Sequence, residues 1–298
     1  MRYSFLLLIC FVSFNAISQG CSDAGFCTVY NLKPQNSQLV AYSNHLRSGI
    51  SVGKADFDIN VIASFLEYRR QLSSSFSVDI RLTQLSQSGN NISVSGLSDL
   101  YINAGYRVNS SISFTGGLKI PLNSSDLLKD GRPLPMDYQS SLGTTDLILG
   151  AGIASGSLQF NIALQQPISQ NENVFFPTEY PAGSPLREFP ATNKFKRSGD
   201  VMLRVAYRAL TGNKWSLTPA VLPIYHLSND KFTDTDGIEK EIEGSQGLTL
   251  NANIFVDYKI SESFSAQLNA GLPLVVRETR PDGLTRSFIA GVELKYAF

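Results

Sequence analysis

The chain has 298 residues, with 25 Lys and Arg against 25 Asp and Glu, and only 17% charged residues. That balance excludes a basic nucleic-acid-binding surface and an acidic solvating tail. Two histidines, His45 and His226, exclude a multi-histidine metal centre, and no motif calls for a cofactor.

A hydrophobic content of 43% and a mean hydropathy of −0.03 look ordinary. In a membrane barrel, however, lipid-facing and lumen-facing residues alternate, so hydropathy cancels along each strand. Residues 1–18 read as an export signal. Arg2 supplies the positive start, Phe5 to Phe14 the short apolar stretch, and Ala16-Ile17-Ser18 the small residues before a cleavage site. That apolar stretch is too short to span a bilayer as a helix. Residues 19–43 do not alternate and are expected to form a periplasmic strap or a plug entering a lumen. They hold Cys21 and Cys27, an even pair in an exported chain, and a disulfide between them is expected. The rival, acylation of Cys21, is disfavoured because Ser18 stands where a lipoprotein signal carries a Leu-like residue.

From residue 44 to 298 the sequence alternates with period two. Leu158, Phe160, Ile162 and Leu164 share one face, with Gln159, Asn161 and Gln165 on the other. The pattern predicts strands near 45–54, 58–70, 75–85, 98–108, 111–122, 144–153, 157–168, 200–210, 214–228, 247–258, 263–276 and 286–298. Many exceed the five or six residues of a soluble strand and match the nine to eleven of a tilted membrane strand. Short connections, as at 71–74, alternate with long ones, as at 169–199, although 55–57 is a short link where a long one is expected. The expected fold is all-β: an antiparallel up-and-down transmembrane barrel of about twelve strands in the bacterial outer membrane, with short periplasmic turns and longer external loops. Tyr101, Tyr106, Tyr207, Trp215, Tyr225, Tyr258 and Tyr296 fall near strand ends, where aromatic girdles sit.

Parity assigns Asp79, Arg81, Asp99, Arg107, Lys119, Arg204, Arg208, Asp257, Glu293 and Lys295 to the inner wall. Both charge signs occur, so no strong ion preference follows, and the same residues can equally pair across a closed lumen. The segment 171–190 carries Phe175, Phe176, Tyr180 and Phe189 among four prolines. Those rings can gather apolar solutes, constrict the lumen, or pack on themselves at the rim. The acidic residues between Asp230 and Glu243 lack EF-hand spacing and read as solvated loop charge, so no metal is expected.

Two resemblances add to this reading. Gly96-Leu-Ser-Asp-Leu, Asn103-Ala-Gly-Tyr-Arg, Gly116-Gly-Leu-Lys-Ile-Pro, Leu142-Gly-Thr-Thr-Asp-Leu-Ile-Leu-Gly and Leu158-Gln-Phe-Asn resemble the outer-membrane barrel family of the phenol meta-cleavage pathway. That resemblance implies a channel or uptake protein for small, often hydrophobic or aromatic solutes. The final strand, with Leu294, Tyr296 and Phe298 in alternate places, resembles the signal read by the barrel-insertion machinery. Outer-membrane lipids and that machinery are then the expected partners.

A further motif, His226-Leu-Ser228-Asn229, has the H-x-S-N form of outer-membrane phospholipase A and lipid A deacylase. Residues two apart on a strand share a face, so an imidazole can serve a hydroxyl, with Asp236, Glu239 or Glu241 to orient it. Asp230 stands where the phospholipase has Gly, and parity sends His226 and Ser228 away from the lipid face. A lipid hydrolase and a structural barrel with a closed lumen are therefore the alternatives to a channel.

Overall fold

The computed structural model describes residues 29–34, 42–283 and 286–298. The export signal, Cys21 and Cys27 lie outside the described residues. Twelve long strands follow one another: β1 Asn44–Ala55, β2 Asn60–Gln71, β3 Phe76–Gly89, β4 Ile92–Arg107, β5 Ile112–Pro121, β6 Asp146–Ser155, β7 Leu158–Pro167, β8 Asp200–Tyr207, β9 Trp215–His226, β10 Gly247–Lys259, β11 Phe264–Val275 and β12 Arg286–Ala297. Each pairs antiparallel with its chain neighbours, and β12 returns to β1 with His45 opposite Ala297. The sheet is therefore closed and leaves no long edge unpaired, as a bilayer requires. Among the described residues no helix is long and apolar enough to cross a membrane.

Alternation decides which residues meet lipid. On β3, Phe76, Val78, Ile80 and Leu82 face out, with Ile80 48% exposed, while Ser77, Asp79 and Arg81 face in, with Asp79 1% exposed. An exposed apolar belt over a buried polar interior inverts a soluble protein and suits a barrel in lipid. Tyr106, Tyr207, Trp215 and Tyr296 ring the end where β1 begins and β12 finishes, facing out. Trp215 packs on Tyr258 with ring centroids 4.3 Å apart. Tyr225 faces out at the opposite end. Tyr101 does not join a girdle: it points into the lumen and is 3% exposed.

That correction has a physical cause. The serine-rich stretch 86–97 is not the connection expected from its polarity. It is the outer part of β3 and β4, joined by a two-residue turn at Asn90-Asn91. Both asparagines have positive φ, 51° and 59°, the conformation of a turn that matches strand twist. Above the belt the outward side chains become polar: Gln84, Ser86, Ser88, Ser93 and Ser95, with the Ser86 and Ser95 hydroxyls 2.7 Å apart. The inward ones become apolar there, Ile92 and Val94 packing beneath the external loops. A bulge on β4 then resets the phase. Ser98 and Asp99 both turn inward opposite Thr83, whose hydroxyl donates to the Asp99 carbonyl at 2.9 Å. Strand β8 also ends earlier than expected, at Tyr207, followed by a short ladder at Leu210–Thr211.

The belt boundary on β3 is open to test. Ile80→Arg is expected to destabilise the barrel by roughly 2–4 kcal/mol, and Ser88→Arg on the same face by no more than about 1 kcal/mol. Denaturant unfolding in lipid vesicles, followed through the single tryptophan, Trp215, measures both. Equal costs would place Ser88 within the hydrocarbon.

Candidate functional site in the barrel lumen

Buried ion pairs cross the inner wall on the periplasmic side. Arg47 donates to Glu67 at 2.7 Å and to Glu293 at 2.6 Å, and Arg81 lies 3.5 Å from Glu67. Asn103 donates to Asp79 at 2.7 Å at the same level, and toward the outer end Lys119 reaches Asp146 at 2.9 Å. Isolated charges at such depth are costly, so opposite signs on adjacent strands offset each other.

Residues 29–34 lie inside this wall. Tyr30 stacks on Arg69, with the guanidinium 4.0 Å from the ring centroid, and Asn31 accepts from Arg69 at 2.9 Å. Leu32 is buried with Val29 among Tyr101, Ile148, Ala163, Met202, Leu222 and Ile224. Arg204 donates to the Leu32 carbonyl, and Lys33 pairs with Glu293. The segment divides the lumen. On its outer side lies a cavity of about 200 Å³, bordered by Phe65, Leu85, Tyr101, Leu142, Phe255 and Ile289 together with Arg81, Lys119 and Arg204. On its periplasmic side lies a second, smaller cavity of about 40 Å³, bordered by Tyr30, Asp257, Gln267 and Lys295. Lys33 borders both.

The external loops cover the other end. Phe175 and Phe189 are buried with Leu134, Tyr138, Ile59 and Ile92, and Tyr180 packs against that core. Phe189 stacks on Phe57 with centroids 3.9 Å apart. Phe175 and Phe189 thus fill a core at the rim, and Phe176 is half-buried beside them. Asn173 binds the loops together, donating to the Ser125 carbonyl at 2.8 Å and accepting from Phe175 N at 3.0 Å.

Beside this core, a buried ionic cluster joins three loops to the rim. Arg197 pairs with Asp200 at 2.6 Å and with Asp282 at 3.3 Å, and Arg277 reaches Asp282 at 3.1 Å. His226 sits between Asp200 and Asp230, its Nδ1 2.8 Å from one carboxylate and its Nε2 2.7 Å from the other. Burial alone would raise the Asp282 carboxyl. Arg277 and Arg197 more than reverse this and hold it well below the usual carboxylate range.

The parity-assigned residues fall into three groups. Asp79, Arg81, Asp99, Lys119, Arg204 and Glu293 are enclosed in the lumen. Asp257 and Lys295 are half-buried at the periplasmic cavity, 3.1 Å apart. Arg107 is exposed at the last residue of β4, and Arg208 is half-buried one residue beyond β8, so neither is enclosed. A strand's phase loses its meaning where the strand ends. Arg47 and Glu67 were absent from the assignment, although the outward Leu46, Ile50, Leu66 and Tyr68 give their phase. Nothing in the sequence pairs Lys33 with Glu293, 260 residues away.

His226 and Ser228 do not form a catalytic pair. Carboxylates occupy both His226 nitrogens, while Ser228 is exposed with its Oγ 2.8 Å from Ser198 Oγ. Two of the three candidate orienting groups are engaged elsewhere: Glu239 with Lys196 and Lys231, and Glu241 with Asn229. Asp234 in the acidic loop pairs with Lys240 at 2.7 Å. Among the described residues no group of His, Cys, Asp and Glu is arranged to hold a metal.

The chain is similar to the crystal structure of an outer-membrane channel from Pseudomonas putida F1, with a TM-score of 0.60 and 14% identity over 89% of this chain and 100% of that one. It is more distantly similar to the CymD monoaromatic hydrocarbon channel, with a TM-score of 0.46 and 9% identity over 86% of this chain and 88% of that one. For the NanC porin the TM-score is 0.46 and the identity 7%, over 86% of this chain and 99% of that one. No known family and no curated protein matches the sequence. At these identities the likeness is one of fold. Together with the apolar belt and polar lumen, it defines a twelve-strand β-barrel of the bacterial outer membrane.

The ionic cluster predicts how the external loops respond to acid. A carboxyl depressed on folding stabilises the fold above its unfolded pKa, and that contribution is lost as pH falls through the lower folded value. The mouth should therefore stay closed at pH 4 and loosen only in stronger acid. Asp282→Asn, which leaves two buried guanidinium groups short of a carboxylate, is expected to cost about 3–5 kcal/mol of local stability at neutral pH. Hydrogen exchange of residues 193–200 and 276–283 measures both effects; unchanged exchange in the variant would contradict the assigned role.

Proposed function

We propose that this protein is an outer-membrane channel for small solutes, with apolar and aromatic compounds as the preferred class. The observation that carries the reading is the divided lumen: two cavities in line along the barrel, with one short segment between them. A purely structural barrel of this size can fill its interior with side chains and leave no such volumes. The outer cavity mixes rings and aliphatic groups with a few polar ones, the usual character of a small-molecule site. The fold shared with the Pseudomonas putida channel supports a channel. The motifs between Gly96 and Ile168, which resemble the phenol meta-cleavage barrel family, support the apolar and aromatic preference.

On this reading residues 29–34 close the channel. They are held by Lys33 on Glu293, by Tyr30 on Arg69, and by Leu32 in an apolar niche. Transport requires the segment to shift, and the polar contacts can be exchanged for water. Residues 1–18 act as the export signal, and Cys21 and Cys27 form a bridge just ahead of the segment. Leu294, Tyr296 and Phe298 serve insertion. Their outward faces, with Tyr296 and Phe298 rings 5.3 Å apart, suit a surface read by another protein.

Planar bilayers test the channel. The wild-type protein should conduct weakly in KCl, and Lys33→Ala should raise mean conductance on the order of twofold or more by loosening the closure. A barrel that stays electrically tight in both forms, and admits no aromatic solute, would favour a structural role.

A further inference from the structure

The twelve strands do not pair equally well, and the gap between β8 and β9 coincides with an apolar stretch of the inner wall. Between β8 and β9 the ladder holds at Asp200–His226, Val201–Tyr225 and Met202–Ile224, and again at Val205–Val221 and Ala206–Ala220. It is interrupted between, where Leu203 lies opposite Pro223 in the same register. The carbonyls of Trp215 and Leu217 and the amide of Leu227 all bond toward the β8 side, to Gly212, Ala209 and Gly199. Successive strand residues alternate their hydrogen bonds between neighbours, so the odd-numbered residues of β9 face β8. Pro219 and Pro223 are odd-numbered and carry no N–H. The seam therefore lacks two of its donors, and one lies at mid-strand, where the bilayer offers no replacement.

The same seam is apolar on both faces. Outward stand Leu203, Pro219, Val221, Pro223 and Tyr225. Inward stand Met202, Ala206, Ala220, Leu222 and Ile224, continuous with Tyr101, Ile148, Ala163 and Phe255 on the same inner wall. Val29 and Leu32 cover Met202, Leu222 and Ile224 from the lumen side. Arg204, between Met202 and Ala206 on the inner face, borders the outer cavity.

We infer that the β8–β9 seam is a lateral portal, through which small apolar solutes pass between the lumen and the hydrocarbon layer once Leu32 withdraws. The inference rests on the channel reading and adds a route to it. Withdrawal of Leu32 bares an apolar patch that leads from the outer cavity to the β8–β9 ladder, which breaks at mid-strand without a shift of register. An apolar solute is stabilised along that path and gains nothing by crossing the ion pairs around Arg47 toward the periplasm. Ions take the opposite choice, so the two routes are separable.

The test staples the seam. Leu203→Cys with Pro223→Cys places two thiols across the interruption, with the pairing verified by peptide mass mapping. Entry of the apolar aromatic probe N-phenyl-1-naphthylamine is followed in intact cells, and KCl conductance of the same purified protein in planar bilayers. The oxidised form should admit the probe roughly fivefold or more slowly than the reduced form of the same variant, which is itself slowed by the donor that Pro223→Cys restores, with conductance unchanged between the two. Pro219→Val with Pro223→Val, which restores both donors without a cross-link, should slow entry in the same direction. Equal entry rates in the oxidised and reduced forms would overturn the portal, as would a parallel loss of probe entry and conductance. In both cases wild-type conductance would leave the channel reading standing. A wild-type protein that neither conducts nor speeds probe entry would remove the channel itself.

Discussion

Lipid cannot hydrogen-bond a peptide group, and the rest of this structure depends on that constraint. Every N–H and C=O within the bilayer must find a partner in the chain, so the sheet has to close on itself. Closure of β12 onto β1 fixes the phase of every strand. Once phase is fixed, each side chain is committed to lipid or to lumen, and a shift by one residue would exchange the two sets. The paired charges inside follow from this commitment. Arg47, Glu67 and Glu293 stand on three adjacent strands because inward places on neighbouring strands lie close enough to offset one another.

Where the constraint ends, the pattern reverses. The outer part of β3 and β4 stands in water, and there Ser86, Ser88, Ser93 and Ser95 face out while Ile92 and Val94 face in toward the loop core. The alternation continues with its polarity inverted, and the Ser98–Asp99 bulge joins the two regimes. This explains what was legible in the sequence. Closure, strand number and the lumen positions of Asp79 and Glu293 follow from period two alone. The course of 86–97 does not, because polarity stops reporting depth once both faces leave the membrane. Tyr101 was misjudged for the same reason: with β4 beginning at Ile92, it sits within the strand and not at its end.

The candidate site was legible only in part, because lumen contacts are set by what enters the lumen. Parity places Arg204 on the inner wall but says nothing of the Leu32 carbonyl that accepts from it across 172 residues. The H-x-S-N motif shows the converse. Local spacing suggested chemistry, while Asp200 on the neighbouring strand and Asp230 on the loop turn His226 into a strut. A four-residue motif cannot report such partners, since β8 and β9 meet through register and not through sequence proximity.

The inner face of β9 joins these threads. Ala220, Leu222 and Ile224 in a polar lumen would be unfavourable against water, as an exposed apolar patch is on any surface. Burial of Leu222 and Ile224 beneath Val29 and Leu32 removes that cost and holds the segment by the same contact, while Ala220 packs with Ala206 and Phe255. Segment and wall are therefore one device: the closure is most stable where the wall is most apolar, and its withdrawal uncovers the patch. The hydrogen-bond deficit at Pro223 falls on the same strand and at the same depth as Leu222, the residue beside it. On its other edge β9 pairs without interruption with β10, from Trp215–Tyr258 to His226–Gly247. A single strand thus carries an unbroken ladder on one side and an interrupted one on the other. The interrupted side faces β8, whose Met202 packs with Leu32. The weakness of the wall and the hold on the closing segment are encoded in the same few residues, so a change in either acts on both.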